Sequence, residues 1–545
     1  MNNIYLGIDV GTNSVRAGAF DSNGYLKGVG KQDIKIWRPK PDFVEQSSEN
    51  IWTATCKAVH QALTNGDIHP EVVKGLSYDA TCSLVALDKN VKPITISPTG
   101  RHEQNVIVWM DHRAIEQAND INTKGHEVLK YVGDTISPEM EPPKLMWIKK
   151  HLPDTWNNAG KFMDLADFLV FRSTGKDIRS LCTTVCKWTC LGHEGEGGRY
   201  DDSFFRQNHI EDLFDNGRVP PDARPMGQLA GELTVQAARD LGLEPGVAVG
   251  IGIIDAHAGG IGAMGSLMGG QDAGPPVFNN AIALIGGTST CHMAVSPSPR
   301  YIKGIWGPYY EAMFPGMWLN EGGQSATGAL IDHIIEDNAA YPDLVTEARQ
   351  RKTDIYTYLN QTLERLVNGH GLALFNNRHL LPDHHGNRSP RADATAKGLM
   401  SGLTLNRTIE ETAVWYGAAI HAIAYGTRHI IEEMNATGYD IKEIYMCGGH
   451  LKNDRFIKDH ATITGCSIVI PEEKEAVLLG SAVLGAVAAG TFPDIFEAMK
   501  TMCRAGKVVE PDLAAKPFHD VKYKIFKEMA EFQAKIHQTM ETLQV

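Results

Sequence analysis

The stretch IYLGIDVGTNSVRAGAF, residues 4–20, decides the predicted fold of this chain. Ile4–Val10 is an apolar run of strand length, residues 11–14 are a turn, and Val15–Phe20 alternates roughly between apolar and polar or small residues. A second turn follows at Asp21–Gly24. The pattern predicts consecutive strands in a meander. A Rossmann or P-loop protein would instead enter a helix directly after its glycine turn.

A similar pattern recurs in the second half of the chain. Ile282–Ile285 is an apolar run, Gly286–Ser289 is a turn, and Thr290–Val295 has the composition of a second strand. The two stretches are either a faint internal repeat, with one Gly-Thr hairpin in each half, or two unrelated hairpins. Between them, Gly265–Asn280 is rich in Gly, Pro and Asn, which predicts a loop near a domain boundary.

Length and composition limit the classes of protein that this chain can belong to. With 545 residues it has room for two large domains or three smaller ones. Its formal net charge of −13 argues against nucleic acid and anionic membranes as partners. Its nine scattered cysteines form no short disulfide framework, which fits a reducing cytosol. The N-terminus lacks the basic and apolar regions of a secretion signal, so a cytoplasmic protein is expected.

Further elements are predicted downstream from apolar runs and helical spacing. Ala476–Phe492 barely reaches spanning length and is rich in Gly and Ala, so a buried helix is expected there and not a membrane span. The last stretch, about 515–545, spaces Phe518, Tyr523, Phe526, Met529 and Phe532 as on one helix. The other expected elements are strands at Val247–Ile254, Glu443–Cys447 and Ser467–Ile470, and helices from Asn453 and over Glu475–Ala489.

The first hairpin offers groups that suit a phosphate. The chain has no GxxxxGK[ST] sequence, so a P-loop does not hold ATP if ATP is used. Gly11 allows a tight turn that directs N–H groups outward, Thr12 adds a hydroxyl, and Asp9 is a suitable ligand for Mg²⁺. The alternative is an ordinary hairpin whose Asp caps its own turn. Gly286–Ser289 offers a matching loop from the other half, and phosphoryl transfer depends chiefly on such positioning.

One carboxylate is a candidate general base. In GIGIIDAHAGG, residues 250–260, Asp255 ends an apolar strand and is followed by small residues that leave room for a ligand. Such an Asp can accept a hydroxyl proton, although an Asp in this position also commonly caps the next helix. His257 is expected to be structural, because one Asp suffices as base. Gly260–Gly265 matches GxGxxG without the strand–turn–helix frame, so helix-packing glycines are expected there, with dinucleotide binding as the alternative.

Eight segments, in order and spacing, resemble the FGGY carbohydrate kinases of the sugar kinase, Hsp70 and actin superfamily. The resemblance covers about residues 3–495. The segments are DVGTNS (9–14), WMDHRA (109–114), PPKLMWIKKH (142–151), IIDAHAGG (253–260), IGGTST (285–290), EGGQSATGALID (321–332), AKGLMSGLTLNRT (396–408) and CGGHLKND (447–454).

The resemblance implies an α/β fold of two ribonuclease H-like lobes, with mixed β-sheets flanked by helices and the active site in the cleft between the lobes. It implies ATP and Mg²⁺ as cofactors, a sugar as substrate, and a homodimer. The implied division is an N-terminal lobe that binds sugar and phosphate (1–265), a connecting excursion (266–280), a C-terminal lobe that binds nucleotide (281–495) and a helical tail (496–545).

The resemblance also assigns residues to roles. Asp9 serves Mg²⁺ and Asp255 is the catalytic base. The residues implied in phosphate binding are Gly11, Thr12 and Asn13 from the first lobe and Gly287 and Thr288 from the second. Those implied in the nucleotide pocket are Gln324, Gly328, Gly448, Gly449 and Asn453.

The segment YDATCSLV, residues 78–85, bears on the sugar. It departs from the glycerol kinase pattern, which has an Arg-Glu pair here, and from the Met-His-Gly pattern of xylulokinases. It resembles the Thr-Cys-Ser segment of the ribulokinase-like branch, particularly the D-ribulokinases. The implied sugar-binding residues are Ala80, Thr81, Cys82, Asp111, Lys187, Asp255 and Glu321. Ionised groups give directional, charge-assisted bonds to hydroxyls, although Asp111 and Arg113 have a surface ion pair as their alternative.

The sequence therefore favours ATP-dependent phosphorylation of a pentulose, with D-ribulose first and L-ribulose, xylulose or another polyol as alternatives. An actin- or Hsp70-like ATPase without a sugar substrate is the alternative of another class, and an NAD-dependent oxidoreductase rests on Gly260–Gly265 alone. Cys182, Cys186 and Cys190 recur every four residues, but the spacing matches no common zinc pattern and few histidines are nearby, so packing thiols are expected. The polar segment LPDHHGNRSPRAD, residues 381–393, receives no role.

Overall fold

The computed structural model of the protein describes residues 3–220, 223–269 and 275–541. The strands in the first half are β1 Ile4–Val10, β2 Ser14–Asp21, β3 Leu26–Asp33, β4 Glu45–Gln46, β5 Val73–Ala80, β6 Leu84–Asp88, β7 Val106–Ile107, β8 Ala159–Asp164, β9 Arg179–Ser180, β10 Ala223–Arg224, β11 Leu229–Glu232, β12 Ala248–Gly250 and β13 Ile253–Ile254. Those in the second half are β14 Ala281–Gly286, β15 Thr290–Ser296, β16 Trp306–Tyr310, β17 Trp318–Gln324, β18 His379–Leu381, β19 Leu399–Ser401, β20 Glu443–Gly448, β21 Ser467–Pro471 and β22 Ala505–Val509.

Helices fill most of the chain between these strands. In the first half they are α1 Ser48–Asn65, α2 Ile115–Lys124, α3 Glu141–His151, α4 Pro153–Asn158, α5 Leu165–Thr174, α6 Leu181–Lys187, α7 Asp202–Gln207, α8 Val235–Leu241 and α9 Asp255–Met264. In the second half they are α10 Gly328–Glu336, α11 Tyr341–Gln350, α12 Ile355–His370, α13 Ile409–Ala436, α14 Asp454–Thr464, α15 Ala476–Ala488, α16 Ile495–Met502 and α17 Lys516–Glu541. Within the part that the structure describes, no helix is both long and apolar enough to cross a membrane.

The meander predicted at the N-terminus is confirmed, and its strands β1, β2 and β3 form one side of the first large sheet. The strands of this sheet run in the order β11–β12–β5–β1–β2–β3, with β13 also paired to β5. β1 is antiparallel to β2 and parallel to β5, so it lies inside the sheet, and all of its residues are buried. Its even-numbered residues, such as Leu6 and Ile8, share a core with α1, whereas Tyr5 belongs to the core that contains α15.

The second large sheet repeats this plan. Its order is β16–β17–β15–β14–β20–β21–β22, with β14 antiparallel to β15 and parallel to β20. In both sheets a central strand therefore pairs with its hairpin partner on one side and with a later parallel strand on the other. The internal repeat is confirmed, and with it the prediction of two mixed sheets flanked by helices. The four-stranded sheet β4–β7–β6–β8 is an addition to the first half alone.

The helices α9 and α15 pack against each other between the two sheets. α15 also contacts β1 and β5 of the first sheet, whereas α9 contacts β14 and β20 of the second. A Cβ on Gly262 would lie 1.9 Å from the carbonyl oxygen of Ala476, and one on Gly480 would lie 2.0 Å from that of Ala258. The GxGxxG glycines are thus packing glycines, as expected, and the two halves of the chain share this helix pair.

Three segments differ in detail from the sequence prediction. Val247–Ile254 is not one strand, because residues 251 and 252 interrupt it between β12 and β13. Gly265–Asn280 is not a plain loop, since its described parts are the 3₁₀ helices Gly265–Gly269 and Pro275–Asn280, while residues 270–274 lie outside the described residues. The stretch 496–545 is not purely helical, because β22 pairs antiparallel with β21 and extends the second sheet.

The terminal helix follows its predicted spacing only in part. Tyr523, Phe526 and Met529 of α17 are buried against the second half. Phe532, which was placed on the same face, is 57% exposed. The packing face of α17 therefore ends about one turn before the spacing predicts.

Candidate functional site

Three carboxylates converge where neighbouring strands of the first sheet end. Asp9 of β1 is the register partner of Asp79 in the parallel strand β5. β13 pairs with the same end of β5, with Ile254 opposite Ala80, and Asp255 follows directly. The carboxyl ends of neighbouring parallel strands meet at one edge of a sheet, and an open α/β sheet binds its ligands at that edge.

Asp9 is buried and paired with Arg16 of the neighbouring strand. Arg16 donates through Nε and Nη2 to Asp9 Oδ2, at 2.9 and 2.5 Å, and its Nη1 lies 2.6 Å from Glu475 Oε2. The turn at residues 11–14 closes by a backbone bond from Gly11 N to Ser14 O. The carboxylate of Asp9 is thus bound by the guanidinium and does not act as a cap for its own turn.

Asp79 was missed by the sequence analysis. It is fully buried, and Ser481 Oγ donates to its Oδ2 at 2.6 Å. Its Oδ1 finds no donor among the described residues. Burial, and then the charge of Asp9, raise the pKa of Asp79 well above its ordinary value. The one signal in the sequence was an acidic residue at the end of the largely apolar run Val73–Ala80.

Asp255 opens α9 and has the electrostatics of a general base. Its carboxylate Oδ1 accepts from Ala256 N at 2.7 Å. The helix cap is Ile254, so Asp255 is not the N-cap that was the alternative expectation. Burial, followed by repulsion from Asp9, raises the pKa of Asp255 to about 7. A base with that pKa is half ionised near neutral pH and can still take up a proton.

The two predicted phosphate loops are both hairpin tips. In the first, Thr12 Oγ1 accepts from the indole Nε1 of Trp109 at 3.0 Å, and Asn13 is exposed. In the second, Gly287 and Thr288 are exposed. The N–H groups of Gly11 and Gly287 close their own turns, to Ser14 O and Ser289 O. Those of Asn13 and Thr288 have no backbone partner among the described residues and can meet an anion.

Gly328, predicted in the nucleotide pocket, lies directly against the second tip. It begins α10, and its N–H donates to Gly287 O at 3.1 Å. A Cβ at this position would lie 2.5 Å from the same oxygen, so only glycine allows the approach. The structure thus brings Gly287, Thr288 and Gly328 together.

Gly448 and Gly449 join this group from the neighbouring strand. Gly448 ends β20 opposite Gly286, with φ at 92°, and a Cβ there would lie 2.2 Å from Gly286 O. The predicted pocket glycines therefore border one edge of the second sheet, as the carboxylates border one edge of the first.

Gln324 and Asn453 are held by protein groups. Gln324 Nε2 donates to Ile423 O and Thr427 Oγ1 of α13. Asn453 is the N-cap of α14, and its Nδ2 donates to the hydroxyl of Tyr416 at 2.7 Å. Their side chains therefore fix the walls of this region.

Lys187 and Glu321 come from different halves of the chain and interact electrostatically. Lys187 ends α6 and is 3% exposed, with Nζ 4.4 Å from the ring centroid of Trp306. Burial opposes its charge, but neighbouring groups, first Cys82 and then Glu321, hold the pKa of Lys187 well above its ordinary value. Glu321 is paired with Trp306 across β16 and β17, and its buried Oε2 has no donor within the described ranges.

Ala80, Thr81 and Cys82 continue from Asp79 into this region. Thr81 N donates to Val10 O at 3.0 Å, which ties the segment to the end of β1. All three residues are buried, and Cys82 lies close enough to Lys187 to affect its pKa. The structure thus joins the predicted sugar residues 80–82, 187 and 321 to the carboxylates at 79 and 255.

Asp111 is a predicted sugar residue whose carboxylate is already bound by protein groups. It forms an ion pair with Arg113 that is fully buried, so the alternative of a surface pair is wrong. Its Oδ2 also accepts from Val44 N at 2.6 Å, and Arg113 Nη2 further contacts Glu45 at 2.8 Å. Both carboxylate oxygens of Asp111 thus have protein partners, whereas Glu321 keeps a free one.

Two of the regularly spaced cysteines meet a histidine, which the sequence did not indicate. Cys182 and Cys186 lie one turn apart on α6, and Cys186 Sγ is 3.6 Å from Nε2 of His257 on α9. Burial lowers the pKa of His257 to about 4 and raises that of Cys186 well above its ordinary value. A ligating histidine normally bonds a second group through its other nitrogen, but Nδ1 has no partner here among the described residues. Burial therefore favours the neutral forms of His257 and Cys186, and the packing role of these thiols stays a prediction.

Comparisons with known proteins agree with this architecture. A human FGGY carbohydrate kinase domain-containing protein is 46% identical over 97% of this chain and 96% of its own length. A protein from Saccharomyces cerevisiae named D-ribulokinase is 38% identical over 90% of this chain and 72% of its own. A gluconate kinase structure from Lactobacillus acidophilus superposes with a TM-score of 0.80 over 98% of this chain and 99% of that one, and at 19% identity it shows the fold alone.

Family models match most of the chain. The N-terminal domain model of the FGGY family of carbohydrate kinases matches residues 4–262, and the C-terminal domain model matches residues 282–489. The resemblance stated from the sequence is thereby confirmed. This chain, with its two mixed sheets and three carboxylates at one edge of the first sheet, belongs to the FGGY family of carbohydrate kinases and is an ATP-dependent sugar kinase.

Proposed function

We propose that this protein transfers the γ-phosphoryl group of ATP to a terminal hydroxyl of a pentulose, with D-ribulose as the foremost substrate. The observation that carries the proposal is the position of Asp255. It lies beside Asp9 and Asp79, and within electrostatic reach of Lys187 and Glu321. A base between a phosphate-binding edge and a polyol-binding wall is the arrangement that phosphorylation of an alcohol requires.

Asp255 accepts the proton of the attacking hydroxyl in this proposal. Its pKa of about 7 leaves it ionised in a large fraction of molecules near neutral pH. Lys187 and Glu321 bind and orient the other hydroxyls, since an ammonium donates and a carboxylate accepts. Residues 80–82 form the adjoining wall. Asp111 contributes to sugar binding only indirectly, since its own oxygens already accept from Val44 N and Arg113.

The chemistry of the donor set fits Mg²⁺. Mg²⁺ prefers carboxylate oxygens with retained waters, and Asp9 offers a buried carboxylate beside two further acidic groups. Bound with ATP at Asp9, the ion would supply charge neutralisation for the phosphates. Thr12 and Asn13 of the first hairpin and Thr288 of the second then bind phosphate oxygens through N–H and hydroxyl groups. Gly11 and Gly287 contribute to phosphate binding by closing the two turns without a side chain in the way.

The second half binds the nucleoside in this proposal. Gly328, Gly448 and Gly449 leave room beside the second hairpin, and Gln324 and Asn453 fix its walls. The division into a sugar and phosphate lobe (1–265), an excursion (266–280), a nucleotide lobe (281–495) and a tail (496–545) belongs to the same proposal.

D-ribulose is favoured over other sugars by two features. The segment Thr81-Cys82-Ser83 lies in the wall next to Lys187, and a relative at 38% identity is named D-ribulokinase. L-ribulose, xylulose and other polyols are the remaining candidates. An actin- or Hsp70-like ATPase without sugar is disfavoured, because a buried Lys187 and an unpartnered Glu321 oxygen need a polar ligand. Nicotinamide chemistry is disfavoured, because Gly260–Gly265 is filled by helix packing.

A coupled ADP assay with single sugars tests the proposal. The panel is D-ribulose, L-ribulose, D-xylulose, ribitol, glycerol and no sugar, each with Mg²⁺ and ATP. ADP release that rises most with D-ribulose, together with ribulose 5-phosphate as product, supports the proposal. Equal ADP release with and without sugar would contradict it. A homodimer remains a prediction, which light scattering after size-exclusion chromatography checks.

A further inference from the structure

Arg388 connects the two halves of the chain at the edge of the proposed sugar site. It lies in the segment 381–393, for which no role was predicted. Its Nη2 is 3.3 Å from Oε2 and 3.4 Å from Oε1 of Glu139, a residue 249 positions earlier. Both side chains are nearly buried, at 8% and 12% exposed. A guanidinium so desolvated needs the opposite charge to remain there.

Two indole rings complete the surroundings of Arg388. Its Cζ lies 5.5 Å from the ring centroid of Trp109 and 5.3 Å from that of Trp306. At these distances a guanidinium interacts favourably with an indole face. Arg388 thus contacts one aromatic residue from each half of the chain.

Each of these rings also contacts a group of the proposed site. Trp109 donates through Nε1 to Thr12 Oγ1 of the first hairpin at 3.0 Å. Trp306 lies 4.4 Å from Lys187 Nζ. The Arg388 side chain is therefore one contact away from the phosphate loop on one side and one contact away from the sugar lysine on the other.

The backbone around Arg388 is fixed to the strand that carries Glu321. Ser389 N donates to Gly323 O at 3.1 Å, which ties the segment to β17. A Cβ on Gly323 would lie 2.7 Å from Arg388 Cδ, so the side chain passes directly over this glycine. The aliphatic part of Arg388 thus packs on β17, and its guanidinium pairs with Glu139.

We propose that Arg388 is a positioning residue for phosphoryl transfer. By pairing with Glu139 and contacting Trp109 and Trp306, it holds Thr12 and Lys187 in the arrangement that binds phosphate and sugar together. The inference rests on the function proposed above, because it assigns Arg388 a role in that reaction. Lysine cannot replace it, since only the planar guanidinium fork combines a carboxylate pair with contacts to two rings.

Steady-state kinetics on four variants test this role: R388A, R388K, E139Q and the double variant R388A/E139Q. ATP and the sugar that the wild type uses are varied in turn. R388A lowers kcat/KM for the sugar by about 100-fold, because the buried Glu139 loses its guanidinium and keeps only His112, at 3.5 Å, as a charged partner. The kcat/KM of R388K for the sugar is no more than about tenfold higher than that of R388A. E139Q weakens sugar use as well, and the double variant is no worse than R388A, because the two residues act as one unit.

Arg378 supplies the matched control. It pairs with Glu411 at 3.0 Å and lies 5.7 Å from the ring of Trp415, so its chemistry is the same but all its partners are in the second half. R378A lowers the melting temperature and leaves the KM for the sugar unchanged. R388A raises the KM for the sugar. The KM for ATP stays within about twofold, because Thr12 is only one of the residues proposed to bind phosphate and Arg388 acts on it indirectly, through Trp109.

Two results separate this inference from the function on which it rests. If the wild type shows sugar-dependent turnover and R388A loses only thermal stability, as R378A does, the positioning role is wrong. If the losses of R388A and E139Q simply add, Glu139 is not its anchor and the inference also fails. If the wild type phosphorylates no sugar at all, the proposed function itself is overturned, and this role for Arg388 with it.

Discussion

Asp79 lies beside Asp9 in the neighbouring parallel strand, and its Oδ1 has no donor in the described part of the chain. An ionised carboxylate can only accept hydrogen bonds. If Asp9 and Asp79 were both ionised, their like charges would repel each other strongly because both groups are buried. A proton on Asp79 removes the repulsion and turns Oδ1 into a donor. Asp9 differs from Asp79 in having Arg16 as an ion-pair partner.

Replacing Asp79 with Asn should therefore cost little. Asn is neutral and similar in shape to a protonated Asp, and it keeps a group for Ser481 to bond. We expect D79N to keep kcat/KM for the sugar within about threefold of the wild type, whereas D79A loses more than about tenfold and is less stable by about 1–3 kcal/mol, because Ser481 is left unpaired. The coupled ADP assay and thermal unfolding measure both effects.

The isosteric variant of the other member, D9N, is the control for the Asp79 prediction. It removes the carboxylate that pairs with Arg16 and should abolish most activity. If D79N is as inactive as D9N, Asp79 works in its ionised form, and the assignment of a proton to Asp79 is wrong.

The pKa of Asp255 predicts the acid limb of the pH profile. The base must be ionised to accept a proton, so kcat/KM for the sugar should rise with pH and level off above a pKa of about 7. D255N should lower kcat by about 10²–10⁴-fold while ATP still binds. A profile measured from pH 5 to 9, with nucleotide binding followed separately, checks both. Turnover of D255N near the wild-type value would remove Asp255 as the base.

The same shift predicts a gain in stability for D255N. A carboxyl whose pKa is raised on folding favours the folded state while it is protonated, and this contribution is lost as pH rises from about 4 to about 7. Above pH 7 the wild type carries a charge at the half-buried Asp255 that D255N lacks. Because solvent screens part of this charge, we expect D255N to be more stable at pH 8 by only about 1 kcal/mol. The difference should disappear near pH 4, and an equal difference at both pH values would contradict the assigned shift.

Local patterns were sufficient to predict both hairpins and the position of Asp255 directly after a strand, while its role as base stays a prediction. An apolar run, a glycine turn and an alternating strand define a hairpin without reference to any other part of the chain. The position of Asp255 after a strand and before small residues is equally local. These predictions held because the groups involved lie within a few residues of one another in sequence.

Contacts between distant segments could not be predicted in this way. Arg388 and Glu139 are 249 residues apart, and nothing in either segment indicates the other. His257 meets Cys186 because α6 and α9 come together, which no spacing along the chain reveals. Asp79 lies at the end of a largely apolar strand, where its role depends on the strand beside it. Each of these residues acquires its partner only when sheets and helices pack.

Lys187 and Glu321 should affect sugar use more than nucleotide use. K187M removes a donor and E321Q removes a charge from the same wall, so each should raise the KM for the sugar by at least about tenfold, since charged hydrogen bonds are worth about 1.5–3 kcal/mol. The KM for ATP should stay within about twofold. K149M is the control, because Lys149 pairs with Asp212 at a half-exposed position outside this wall. Unchanged constants in K187M would exclude this lysine from the sugar site.

The contact between α9 and α15 can be tested through glycine. A Cβ on Gly480 would lie 2.0 Å from the backbone oxygen of Ala258, and a backbone atom cannot move aside as a flexible side chain can. We expect G480A to destabilise the protein by more than about 2 kcal/mol, since overpacking forces the helices apart. Because this helix pair contacts β1, which carries Asp9, and β14, which ends at Gly286, the variant should also lose activity before it unfolds.

Gly369 provides the opposite result within the same protein. It lies in α12, and a Cβ there would meet nothing within 4 Å. G369A should therefore stabilise the protein by about 0.5–1 kcal/mol, as alanine does in an open helix, and leave activity unchanged. Thermal unfolding of the two variants side by side separates helix propensity from helix contact, because both substitutions are Gly to Ala in a helix. If G480A also gains stability, α9 and α15 do not approach as closely as described, and the edges that carry the two hairpins are not held together by this pair.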